Sequence, residues 1–192
     1  MKTRCLLICT LLMVLVWAGC RPSPEVADTQ TALRLRSEAF EPGGRIPAKY
    51  TCIGEGVSPP LDWEGVPEGT RSFALMLEKL EEPPVEEDAD PGPVLWLVFN
   101  IAPELTALPE GLRLDERVGR DDLRPIQGGN HQRTTGYAGP CPSVGDPGRY
   151  AFRVYALSVV LPAEAGSTWH HLRQAMEGYI LAEGELIGTY AY

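Results

Sequence analysis

The sequence predicts a mostly β domain whose helical structure is confined to the C-terminal end. Three observations predict it. Glycine (20) and proline (18) are frequent in a chain of 192 residues, which favours many turns and short strands over a helix bundle. Three segments, 71–80, 94–103 and 149–158, read as strands, the first two nearly continuous apolar runs and the third alternating. Only the segment from Ser167 onward carries apolar residues at helical spacing, at Trp169, Leu172, Met176 and Tyr179. Apolar content of 44% and charged content of 22% are ordinary for a globular protein, and the length suffices for one sizeable core.

In chain order, the first twenty residues stand apart. Lys2 and Arg4 precede an uncharged, mostly apolar run that reaches Gly19. This is the pattern of a secretory signal, with an apolar region too short to span a bilayer comfortably. The run ends Ala18-Gly19-Cys20, which resembles the bacterial lipobox, with Trp17 where that box usually carries Leu. Residues 1–20 are therefore expected to be a signal peptide and Cys20 a lipidation site, giving a stable multi-chain anchor in the cell envelope. An ordinary cleaved signal with an incidental cysteine and an uncleaved anchor are the alternatives. Arg21, rather than an Asp, points towards the outer membrane if the host has one. Residues 21–31 are polar and without period, a short tether, and the folded domain is expected over 32–192.

Leu33 and Leu35 alternate as an opening strand, and a turn and extended chain follow through Cys52. The segment 54–67 is proline-rich, which argues against a central strand. The run 80–93 is an acidic loop, and 102–130 is loop-rich. Ser167 or Thr168 suits the N-cap of the helix, and Gly178 and Gly184 mark breaks or joints.

Composition and motifs exclude several functions. Removal of the first segment leaves 15 basic against 26 acidic residues, a net of −11 with no basic run, so nucleic acid is not an expected partner. No nucleophile elbow, zinc-protease motif, paired-cysteine motif or phosphate loop is present. His170 and His171 are adjacent on the expected helix and point about 100° apart, so they form no metal pair. His131 reads as a solvated loop residue, and Glu86, Glu87, Asp88 and Asp90 lack calcium-loop spacing. No cofactor and no metal are expected, and the chain is not expected to be an enzyme. In an oxidising compartment Cys52 and Cys141, 89 residues apart, are either a disulfide or two separate buried thiols.

The residues carry a family resemblance in four ordered stretches. They are F-x-P-G-G-x-I-P-x-x-Y-T-C at 40–52, SPPL-x-W at 58–63, GY-x-GPCP followed by RY-x-F-x-VYAL within 136–157, and AMEGYILAEGELIGTY at 175–190. Together they resemble the phosphatidylethanolamine-binding protein family, in its bacterial Raf-kinase-inhibitor-like branch, over about 32–192. The resemblance implies a central, largely antiparallel sheet, a smaller second sheet, and helices near the C-terminus, with 175–190 matching the branch's last helix. It also implies a small anion pocket walled by the 136–142 loop. The site residues it implies are Ser58, Pro59, Glu81, Trp96, Tyr137, Gly139, Pro140, Cys141, Pro142 and Tyr179. Cys52 and Cys141 would flank that pocket from two loops, close enough to bridge.

The sequence departs from the family where the pocket's donors belong. Leu95 precedes Trp96 and Gly148 precedes Arg149 at two positions where the family carries histidine, Tyr179 takes a third, and Glu81 stands at the key acidic position. A lost charge-assisted hydrogen bond costs about 1.5–3 kcal/mol, so two lost histidines predict phosphate binding weaker by roughly a hundredfold or more if their effects add. The expected function is an exported, lipid-anchored binding protein for a small anionic or lipid-derived ligand, with a degraded or altered anion pocket. The alternative is a protease-inhibiting or protein-interaction module that uses the pocket rim.

Overall fold

The computed structural model describes residues 32–80, 93–113, 124–145 and 147–192. The segments expected to be signal peptide and tether, with Cys20, and Glu81 lie outside the described residues.

Two antiparallel sheets form the framework. The smaller has β1 (Arg34–Arg36), β2 (Leu61–Glu64) and β5 (Ala107–Leu108) in the order β1-β2-β5. The larger has β3 (Ser72–Leu80), β4 (Val94–Ile101), β6 (Ile126–Gln127), β7 (Gly148–Leu157) and β8 (Ile180–Tyr190) in the order β6-β4-β3-β7-β8. Among the described residues a single 3-10 turn covers Ala48–Tyr50, and one α-helix, α1, covers Trp169–Met176.

The central strands β3 and β4 are buried on both faces because both faces of the larger sheet are covered. Phe73, Leu75 and Leu77 point towards the small sheet, where they meet Leu35, Leu61, Trp63 and Leu108 in one core. Ala74 and Met76 point the other way, into a second core closed by Leu172 and Met176 of α1. A period of two with apolar residues in both phases gives the continuous runs seen in the sequence.

Two expectations are corrected. Leu61–Glu64 is the middle strand of the small sheet, although the sequence argued against a central strand there. Pro59 and Pro60 stop just before it, so no proline interrupts its ladder. The C-terminal segment is not helical throughout: α1 ends at Met176, Gly178 adopts φ 76°, and Ile180–Tyr190 pairs along β7. Gly184, Leu186, Gly188 and Tyr190 alternate inward, a strand period that the helical spacing of 169–179 overshadowed. Thr168 occupies the N-cap without a side-chain capping bond.

Candidate functional site

Three loops converge beside β4 and β6: residues 51–60, 109–113 and 128–142. Between them is a groove of about 410 Å³. Its walls are Gly56-Val57-Ser58, Gly111-Leu112-Arg113 and Thr135-Gly136-Tyr137, with Gln127 at its base.

Ser58 is buried and joins the first two walls. Its carbonyl accepts the Gly111 N–H at 2.8 Å, and its Oγ accepts the Leu112 N–H at 3.0 Å. Gln127, 3% exposed, joins the base to the rest: Oε1 accepts the Trp96 indole N–H at 3.0 Å and Nε2 donates to the Leu112 carbonyl at 3.5 Å. A Cβ at Gly136, whose φ is 107°, would stand 3.2 Å from Gln127 Oε1, so glycine lets the third wall pass over the amide.

The third wall is pinned over its whole length. Asn130 Oδ1 accepts the N–H groups of Gln132 and Thr134, and its Nδ2 donates to the Gly136 carbonyl at 3.0 Å. The Ala138 N–H reaches the Leu95 carbonyl. The Tyr137 hydroxyl donates to the Tyr50 carbonyl at 2.7 Å, while its ring meets Trp96 edge to face at 5.4 Å. Burial pushes the Tyr137 phenol pKa well above its ordinary value, so it stays a neutral donor. A Cβ at Gly139 would stand 2.8 Å from the Tyr50 carbonyl oxygen. Here two backbones pack against each other, which only glycine permits. The Cys52 N–H then donates to the Pro140 carbonyl, and a disulfide joins Cys52 to Cys141, with Cα atoms 5.4 Å apart. Both cysteines are exposed, and the Tyr192 hydroxyl lies 3.4 Å and 3.8 Å from the two sulfurs.

Glu110 ties the second wall to the 3-10 turn. Its carboxylate pairs with Lys49 and accepts the Tyr50 hydroxyl at 2.7 Å, and these contacts hold its pKa below the usual carboxylate value, the Lys49 bond most of all. The groove is thus lined by main chain, Ser58, Thr135, Gln127 and Arg113, whose polar side chains suit oxygen-rich ligands, while the N–H groups of Gly56, Gly111, Leu112 and Gly136 are bonded within the protein.

Of the residues singled out from the sequence, Ser58 and Tyr137 line the groove, and Trp96 supports it from beneath. Pro59 follows Ser58 as a buried residue; Gly139, Pro140, Cys141 and Pro142 continue the third wall towards the disulfide. Tyr179 is elsewhere. It follows α1 rather than lying within a helix, is 48% exposed, and its carbonyl accepts the Ser158 N–H just beyond the far end of β7. The ten residues of β7 span about 30 Å, so Tyr179 is far from Gly148. Leu95 is buried in the main core, and a Cβ at Gly148 would strike the Tyr150 ring at 2.5–2.7 Å. The Tyr150 ring therefore uses the space that glycine frees. The sequence reading missed Gln127, Gly111, Leu112, Arg113 and Thr135. The signal available for Gln127 was an amide between Ile126 and the Gly128-Gly129 pair.

A family model for phosphatidylethanolamine-binding proteins matches residues 36–191. The chain belongs to the phosphatidylethanolamine-binding protein family. Among its relatives is a protein of Methanothermobacter thermautotrophicus described as UPF0098, 43% identical over 160 residues that cover 82% of this chain and 98% of that one. A UPF0098 protein of Chlamydia muridarum is 42% identical over 159 residues, with the same shares covered. Two crystal structures share the family's fold with it. A phosphatidylethanolamine-binding protein homologue from Chlamydia trachomatis aligns with a TM-score of 0.71 at 38% identity, covering 84% of this chain and 98% of that one. YbcL of Escherichia coli aligns with a TM-score of 0.72 at 28% identity, covering 83% and 98%.

Proposed function

We propose that this family member is an exported, lipid-anchored binding protein, without catalytic activity, that takes a small phosphate-bearing or lipid-derived ligand in the groove between its three loops. The observation that carries the reading is the groove's construction: Ser58, Gln127 and the disulfide hold three walls, lined by the polar side chains of Ser58, Thr135 and Gln127, in place before any ligand arrives. A preformed site loses little entropy on binding. None of the three histidines lines this groove, and Leu95 and Gly148 offer no side-chain donor at the family's histidine positions. The anion site is altered accordingly, relying on neutral donors and Arg113, and its affinity for a phosphate headgroup is weak, in the millimolar range.

The test is an amide-shift titration of residues 32–192 with phosphoethanolamine. Saturable shifts at Gly56–Ser58, Gly111–Leu112 and Thr135–Tyr137 are expected; none up to tens of millimolar would overturn the reading. The anchor is tested separately by the intact mass of membrane-extracted protein, which should carry an acylated N-terminal Cys20. A second reading, a protein-interaction or protease-inhibiting module, is favoured by Ile53 and Val144 near the disulfide, 54% and 87% exposed. Loss of a chymotrypsin-like or subtilisin-like activity on adding the protein would select it.

A further inference from the structure

The most concentrated exposed apolar feature among the described residues is a corner at the opposite end of β7 and β8 from the disulfide. Tyr179, Ile180 and Leu181 are consecutive and 48%, 45% and 42% exposed, and Val160 nearby is 45% exposed. Neighbouring residues of a strand normally face opposite sides, so one of a pair is usually covered. Here a local irregularity prevents that. Ala156 pairs with Ala182 but Leu157 pairs with Ile180, which leaves Leu181 as an extra residue in β8. Such a bulge re-aims side chains. Gly178 turns the chain sharply out of α1 just before it, and Ser158 fixes the turn by bonding the Tyr179 carbonyl. Three large side chains are thus presented together by built geometry.

The chain's own N-terminus indicates what covers them. β1 enters beside β8: a Cβ at Gly184 would stand 2.7 Å from the Leu33 carbonyl oxygen. Leu181 lies three strand residues from Gly184, about 10 Å, whereas Tyr190 at the disulfide end lies about 20 Å away. Residues 21–32 separate Cys20 from Leu33 and reach at most about 40 Å. The chain thus enters the domain nearer to this corner than to the disulfide end, and the tether's reach lets an anchor at Cys20 bring the corner to the bilayer. A tyrosine beside two aliphatic side chains suits the interface between headgroups and acyl chains. A corner of four side chains is much smaller than the roughly 800 Å² per partner of a stable dimer. The adjoining charges are mixed, Glu177 and Glu183 with Arg153, Arg173 and Arg71, and Glu183 pairs with Arg153 at 3.2 Å, so the surface suits zwitterionic headgroups.

We propose that the corner Tyr179–Leu181, with Val160, docks on the zwitterionic surface of the bilayer that carries the anchor, leaving the disulfide end facing away from it. The proposal takes its geometry from the proposed anchor at Cys20. The test therefore supplies the anchor chemically: the chain from Cys20 to Tyr192 is coupled through the Cys20 thiol to a lipid in phosphatidylcholine and phosphatidylethanolamine vesicles. Whether cells acylate Cys20 is then a separate question, answered by the mass measurement. Leu181→Trp and Val144→Trp, both at exposed positions, are compared with the unsubstituted chain for quenching by brominated lipids. Quenching of the added indole should be several-fold stronger at 181 than at 144, and Tyr179→Ser with Ile180→Ser in the Leu181→Trp chain should reduce it. Equal quenching at the two positions would overturn the proposal, as would quenching that persists after the two serine substitutions. Shielding of the 181 indole from aqueous iodide by protein concentration alone, without lipid, would assign the corner to a second copy and overturn it equally.

Discussion

Tyr137 serves two purposes in one side chain. Its ring supports Trp96 and its hydroxyl closes the third wall onto Tyr50. Burial raises its pKa above the ordinary 10.0, and burial does the same to Tyr155. The folded chain therefore keeps protons that an unfolded chain releases above pH 10. The stability this contributes is complete below about pH 10 and is lost as pH rises beyond it. Denaturant melts at pH 7, 9, 10 and 11 should show stability level between pH 7 and 9 and falling from pH 10 to 11. Tyr137→Phe should cost about 1 kcal/mol at pH 7, by leaving the Tyr50 carbonyl without its donor, and should make the alkaline fall shallower. An unchanged alkaline slope would mean that Tyr137 ionises as freely in the folded chain as in the unfolded one.

At the scale of elements, β8 shows how a glycine selects a packing arrangement. Gly43 donates to the Ile187 carbonyl, Ile46 donates to Thr189 and Thr189 donates to Gly44, so the 43–46 turn covers one half of the strand. The Leu33 backbone covers Gly184 so closely that a methyl group has no room. Gly184→Ala should cost about 1–3 kcal/mol by pushing β1 away, read as a lower Tm and faster amide exchange in Leu33–Arg36. Unchanged exchange there would show that β1 does not depend on this contact. The same strand marks where sequence reading fell short. Strands β3, β4 and β7 were legible because their apolar runs or alternation are uninterrupted. In β8 the inward positions alternate between glycine and large residues, so hydrophobicity does not display the strand period. What fills those glycine positions is backbone and side chain from Leu33, Phe40 and Ile46, contacts of long range that no local pattern encodes.

For the molecule as a whole, the disulfide is the longest-range covalent constraint. Closing a loop across 89 residues stabilises by about 4–5 kcal/mol in the chain-entropy view, so Cys52→Ser with Cys141→Ser should lower the Tm markedly. A loss below about 1 kcal/mol would mean that the Tyr137, Gly139 and Cys52 backbone contacts already hold the two loops. The groove lies between two of the stretches that carry the family resemblance, since Ser58 of one and Gly136 and Tyr137 of the other line it. The rest of its lining was not legible, because Gln127 and Leu112 reach the groove only through tertiary bonds to Trp96 and Ser58.

The same bridge gives the molecule the topology of a ring with two tails. The ring runs from Cys52 to Cys141 and contains β2 to β6; β1 lies in one tail, and α1, β7 and β8 in the other. Strand β7 lies beside β3, so a tail completes the sheet that the ring begins. A single protease cut anywhere from Ile53 to Pro140 therefore opens the ring without releasing a fragment. In an oxidising compartment the nicked chain keeps its mass, plus one water, and runs as one species until a reductant separates its two pieces.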